Sequence, residues 1–180
     1  MSKKTMNASL KSLIVLFSIC LIIAVLMAAI NQITAPRIAA AEREAEQKAL
    51  RAVLPEAEEF LQVEGTYSDS VASVWRASNG SGYAVMLSAK GYESSKPMSI
   101  AVGFDENGAL LACRVVSASG ETKGIGTKVT SESFLGQFVG KDEALDGVDT
   151  ISGATISSSA FINAVRDAFN AVKQVREVEA

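Results

Sequence analysis

The sequence predicts an α+β protein: a single N-terminal transmembrane helix followed by a domain in which helices pack on an antiparallel sheet. Three observations carry this expectation. No charged residue occurs from Ser12 to Pro36, and the apolar run from Leu13 to Ile33 is long enough to cross a bilayer. Between Val71 and Val116 apolar residues recur with period two, broken by turn-forming residues. Near the C-terminus, Phe161, Val165, Ala168, Phe169, Val172 and Val175 form a helical stripe suited to packing on a sheet.

Residues 1–12 read as a cytoplasmic N-terminus and 13–33 as the transmembrane helix. About 21 residues at ~1.5 Å rise span ~31 Å, close to the ~30 Å hydrocarbon thickness. Lys3, Lys4 and Lys11 precede the run, and only Arg37 follows before an acidic cluster. The positive-inside bias therefore predicts a single-pass protein of the cell (inner) membrane with its N-terminus cytoplasmic and the remainder extracytoplasmic. A cleaved signal peptide would have only ~7–15 apolar residues, so an uncleaved anchor is expected.

Residues 34–55 read as a stalk helix. Thr34-Ala35-Pro36 suggests a helix restart with Pro at the first position, where its missing N–H costs nothing. Ile38, Ala41, Ala45, Ala49 and Val53 recur at helical spacing, and Pro55 closes the segment. The domain, residues 56–180, then has expected strands near Val71–Ala77, Gly82–Ala89, Met98–Phe104 and Ala109–Val116, with Asn107-Gly108 supplying positive φ to the last hairpin. Glycines 120, 124 and 126 mark a loop, followed by a short helix at Ser131–Val139 and a final helix at about Ser158–Val175.

Composition excludes several chemistries. A net charge of −3 argues against nucleic-acid binding, which needs a basic footprint. The absence of histidine removes the commonest general base and metal ligand. Two cysteines, Cys20 and Cys113, supply no zinc quartet, iron–sulfur ligand set or disulfide framework, so no metal site and no catalytic side chain is expected. Redox chemistry would have to come from an organic cofactor. Cys113 reads as an apolar filler on a strand, and Lys128 as either a solvated charge or a phosphate contact.

Two segments are candidates for function. The first is Asp149-Thr150-Ile151-Ser152-Gly153-Ala154-Thr155-Ile156-Ser157, directly before the last helix. A Ser/Thr cluster there can simply cap the helix. It can equally place a hydroxyl where a phosphate is stabilised by free N–H groups and the helix dipole, with Gly153 and Ala154 small enough for a bulky ligand to approach. The second is Glu121-Thr122-Lys123-Gly124-Ile125-Gly126-Thr127-Lys128. It is either a flexible turn or a surface whose backbone N–H groups, Thr122 and Thr127 hydroxyls and Ile125 side chain hold a planar ligand.

Asp149-x-x-Ser152-Gly153-Ala154-Thr155 resembles the flavinylation motif D-x-x-[ST]-G-A-[ST] of the FMN-binding domain family, and Glu121–Gly126 resembles that family's E-T-P-G-L-G loop. The family includes the G subunit of the Rnf ferredoxin:NAD oxidoreductase and the C subunit of the sodium-pumping NADH:quinone reductase. The resemblance extends to the N-terminal span, Asn31-Gln32-Ile33-Thr34, Val53-Leu54-Pro55 and Gly91-Tyr92. Lys123 stands where the family has proline, Ile125 where it has leucine, and Glu93-Ser94-Ser95-Lys96 replaces a glycine-rich link, which predicts a less rigid loop.

The resemblance implies FMN joined through its phosphate to the Thr155 hydroxyl by a dedicated FMN transferase. It also implies cofactor contacts from Asp149, Ser152, Gly153, Ala154, Glu121, Thr122, Gly124, Ile125, Gly126 and Thr127. The compact size is similar to the Rnf G subunit. That implies an electron-transfer subunit, not catalytic alone, working with the other membrane subunits of an ion-translocating complex that moves Na⁺ or H⁺. The alternatives are the quinone-reductase C subunit, a membrane-anchored regulator binding FMN non-covalently, and a structural module in which the Ser/Thr cluster is only a cap.

Overall fold

The computed structural model describes residues 8–179; Lys3 and Lys4, on which the expected orientation partly rests, lie outside them. The chain divides into two compact units, the first ending at Glu44 and the second beginning at Ala45.

The first unit is a helix. α1 runs Ala8–Val53, so its last turns belong to the second unit. It is long and apolar enough to cross a membrane, with mean hydropathy 3.2 in its most apolar stretch. Leu13, Leu16, Phe17, Met27 and Ile33 are all exposed, a surface that favours lipid over water and suits a single membrane crossing. Two hydroxyls of this stretch bond back to the backbone: the Ser18 hydroxyl donates to the Ile14 carbonyl at 2.8 Å and the Thr34 hydroxyl to the Ile30 carbonyl at 2.9 Å. The expected restart at Thr34-Ala35-Pro36 is instead continuous helix with Pro36 inside it. Proline forfeits the bond to the Gln32 carbonyl, but Ala35 and Ala39–Ala41 are strong helix formers on either side and carry the helix through.

The second unit is built on a five-stranded antiparallel meander in the order β1-β2-β3-β4-β5. The strands are β1 (Phe60–Val63), β2 (Val71–Ala77), β3 (Gly82–Ala89), β4 (Met98–Asp105) and β5 (Leu110–Ser117). Four of the five fall where period-two patterning puts them. β1 was not expected; it is a short edge strand, paired from Phe60↔Ala77 to Val63↔Val74, with no alternation of its own. The β4–β5 turn takes positive φ at Gly108 alone, not at Asn107. Its geometry is held by the Asp105 carboxylate, which accepts from the Asn107 N–H at 2.9 Å and the Ala109 N–H at 2.7 Å.

Both faces of the sheet are covered, which explains why β3 is buried along nearly its whole length. Tyr83, Val85, Leu87 and Ala89 of β3, with Met98, Ile100, Val102 and Phe104 of β4, face the main core. The intervening Ala84, Met86 and Ala101 pack against Ala49, Leu50 and Val53 at the end of α1. Gly103 permits that approach, because a Cβ there would collide with the Val53 backbone. The far end of the expected stalk is thus a layer of the folded domain.

The main core is closed by α2 (Glu132–Leu135), a following 3-10 turn at Gly136–Phe138, and α3 (Thr155–Glu179). The single helix expected at Ser131–Val139 is therefore divided. Phe134, Phe138 and Phe161 meet with ring centroids 5.1–5.3 Å apart. Every member of the α3 stripe, from Phe161 to Val175, is buried, and Cys113 lies in the same core.

Candidate functional site

α3 begins at Thr155, three residues before its expected start. The turn that feeds it explains why. The Ala154 N–H donates to the Ile151 carbonyl at 2.9 Å, and Gly153, third in the turn, takes φ +80°. Ser158 then anchors the entry from inside: its hydroxyl accepts the Ile151 N–H at 3.1 Å and donates to the Ala154 carbonyl at 2.8 Å. Ser158 is thus a buried tie between the turn and the helix, whereas Thr155 is exposed at the first helical position. It belongs to the first turn of the helix, whose N–H groups have no intrahelical partner.

The glycine-rich loop repeats the same device. The Ile125 N–H donates to the Thr122 carbonyl at 3.1 Å across a turn whose third residue, Gly124, has φ +77°. The Thr127 hydroxyl accepts the Gly124 N–H at 2.9 Å, so this hydroxyl serves the loop itself.

The two turns meet around one cavity of about 400 Å³, lined by Tyr92, Thr122, Ile125, Gly126, Gly153, Ala154, Thr155, Ile156 and Ser157. Six expected site residues therefore share one wall system. Its lip is apolar and open, with Tyr92 67%, Ile156 60% and Ile125 48% exposed. An open apolar lip over a floor of hydroxyls and backbone suits a planar ring carrying a polar tail. Larger clefts beside Tyr67 and Asp167 and beside Asn107 and Arg176 contain none of the expected residues.

Glu121 lies under this cavity and not on its wall. The residue is 7% exposed. One oxygen accepts the Tyr92 N–H at 3.1 Å, and the other accepts the Ser157 hydroxyl in a short hydrogen bond. Asp149 and Ser152 are exposed outside the cavity; the Asp149 N–H donates to the Gln137 side-chain oxygen at 2.9 Å, tying the motif's start to the 3-10 turn after α2. Lys128 is exposed on the 3-10 turn at Gly126–Thr130.

Spacing alone did not single out Tyr92, Ile156 or Ser157. Tyr92 had one signal, its place in Gly91-Tyr92. The loop that follows it, Glu93–Lys96, closes on itself. The Ser95 hydroxyl donates to the Glu93 carboxylate at 2.9 Å and the Lys96 ammonium lies 3.3 Å from it. The Ser95 bond and then the Lys96 bond hold the Glu93 carboxyl below its ordinary range. Gly120 packs so closely on the Lys96 carbonyl that a Cβ would not fit.

Comparison with known proteins gives two family matches, an RnfG N-terminal region over residues 1–53 and an FMN-binding domain over residues 91–170. The chain is also similar to the G subunit of the proton-translocating ferredoxin:NAD(+) oxidoreductase complex of Clostridium ljungdahlii. That similarity is 28% identity over 165 residues, 85% of each chain. It is likewise 28% identical over 177 residues to the G subunit of an ion-translocating oxidoreductase complex of Methanosarcina acetivorans, covering 90% of this chain and 93% of the relative.

Proposed function

We propose that this chain, which matches an RnfG N-terminal region and an FMN-binding domain, is the FMN-carrying electron-transfer subunit of a membrane-bound, ion-translocating Rnf complex. The observation that carries this reading is the cavity in which the Thr122–Gly126 loop and the Gly153–Ser157 segment meet. The other subunits of such a complex are its partners, and the domain beyond α1 works on the extracytoplasmic side.

The cavity residues fit the cofactor. Tyr92, Ile125 and Ile156 offer apolar surface for a flavin ring, Thr122 and backbone groups of the Gly126 turn offer hydrogen bonds, and Thr155 presents a hydroxyl at the positive end of α3. Bound FMN supplies one-electron transfer between neighbouring redox centres, while the protein sets its position and potential. No side chain of this chain needs to act as acid or base in that role. The exposed lip leaves the site open toward an approaching partner.

The FMN is held covalently on Thr155. An FMN transferase would join the Thr155 hydroxyl oxygen to the flavin phosphorus of an activated flavin phosphoanhydride: the anhydride P–O bond breaks, the hydroxyl proton leaves with the departing phosphate group, and the chain gains about 438 Da, the mass of FMN less one water. Thr155 is exposed, and the buried bonds that tie the preceding turn to this helix start are made by Ser158. Thr155→Ala should therefore abolish covalent flavin and leave the fold intact, at a cost of no more than about 1 kcal/mol. Intact and peptide mass spectrometry of the chain co-expressed with the transferase checks this. A flavin-bearing Thr155→Ala chain, or a modification mapped to Ser157, would show the assignment to be wrong.

A further inference from the structure

We propose that Glu121 is a positioning residue: it ties two walls of the flavin cavity, the Tyr92 loop and the first turn of α3, to one buried carboxyl and thereby fixes the direction in which Thr155 presents its hydroxyl. The inference rests on the reading of the cavity given above. Its basis is the arrangement around that carboxyl. One oxygen takes the Tyr92 N–H and the other takes the Ser157 hydroxyl, so a loop and a helix 36 residues away in sequence are held by a single group.

Backbone crowds the carboxyl at two points. A Cβ at Gly91 would collide with the Glu121 carboxyl, and one at Gly126 would come within 2.7 Å of it and 2.9 Å of the Ser157 hydroxyl oxygen. Tyr92, Gly126 and Ser157 all line the cavity, and Glu121 stands directly behind them. Burying a carboxyl is costly, and an apolar side chain would fill the space without that cost. What the carboxyl adds is direction. Ser157 follows Thr155 by two residues in the first turn of α3, so fixing Ser157 fixes the rotation of that turn about its axis.

The test uses the full chain with its FMN transferase, following attachment by intact mass over time. Flavin fluorescence anisotropy is then read on the attached protein. Glu121→Ala and Ser157→Ala should each slow attachment on the order of tenfold. Both should lower the anisotropy, because the ring gains freedom. The double variant should be no slower than the worse single one, since both changes remove the same bond. Glu121→Gln should recover most of the rate, as its amide oxygen accepts the Tyr92 N–H and its amide N–H donates to Ser157. If Glu121→Ala fails to fold, Ser157→Ala decides alone, because it leaves the Tyr92 bond in place. A folded Ser157→Ala chain with unaltered rate and anisotropy overturns the proposal, as does a Glu121→Gln chain as slow as Glu121→Ala. A wild-type chain that takes up no flavin instead sinks the reading of the cavity itself.

Discussion

Cys113 is enclosed by the core, and burial pushes its thiol above the ordinary value of 9.0. In the unfolded chain the thiol ionises near that value, while in the folded chain it stays protonated. Above about pH 9 the unfolded state therefore binds fewer protons, so this group's contribution is full below pH 9 and is lost as pH rises, with a limiting slope of ~1.4 kcal/mol per pH unit. Cys113→Ala should flatten the alkaline fall in stability; denaturant unfolding of the domain between pH 7 and 10 measures it, and an unchanged slope would contradict the burial. At this level the sequence was informative about chemistry and silent about partnership. Motif and pattern picked out Thr155 and Gly126, which the fold places on one cavity wall, and marked Cys113 as a core residue. The Glu121–Ser157 bond could not, because nothing in the spacing of a lone glutamate and one serine among several says that they touch.

The two glycine turns are a matched pair: Thr122-Lys123-Gly124-Ile125 and Ile151-Ser152-Gly153-Ala154 each close with an N–H of the fourth residue on the first carbonyl. Position two of such a turn favours proline, which fixes φ at no conformational cost. Lys123 occupies that position. Lys123→Pro should therefore stabilise the domain by ~0.4–1 kcal/mol, whereas Gly153→Ala, forced to φ near +80°, should destabilise it by ~1–2 kcal/mol. Paired thermal melts check the opposite signs, and a destabilised Lys123→Pro chain would refute the turn assignment. Elements with strong internal patterning, β2 to β5 and α3, were legible in advance. β1 escaped because four residues of an edge strand carry no period. The α3 start was misplaced because Thr155 and Ser157 look like capping residues, whereas both belong to the first turn, which Ser158 ties back to the preceding Ile151 turn.

For the molecule as a whole, the sequence marked an anchor and a domain, but Pro36 misled the reading of their junction. Continuous helix from Ala8 to Val53 delivers Leu50 and Val53 to the back of the sheet, so the segment leaving the apolar span also finishes the fold. The proposed orientation predicts that alkaline phosphatase fused after Ala180 is active, and that a reporter functional only in the cytoplasm is not. The reverse result would sink the extracytoplasmic placement. The meander bears on the order of events in biogenesis. Each strand pairs with its neighbour in sequence, so the sheet can zip up through short closures as the chain emerges. α3 comes last, and with it Thr155, Ser157 and the wall that faces the Glu121 loop. If Thr155 accepts the flavin as proposed, its hydroxyl is presented only by a finished domain, and a truncated or half-folded chain would stay unmodified.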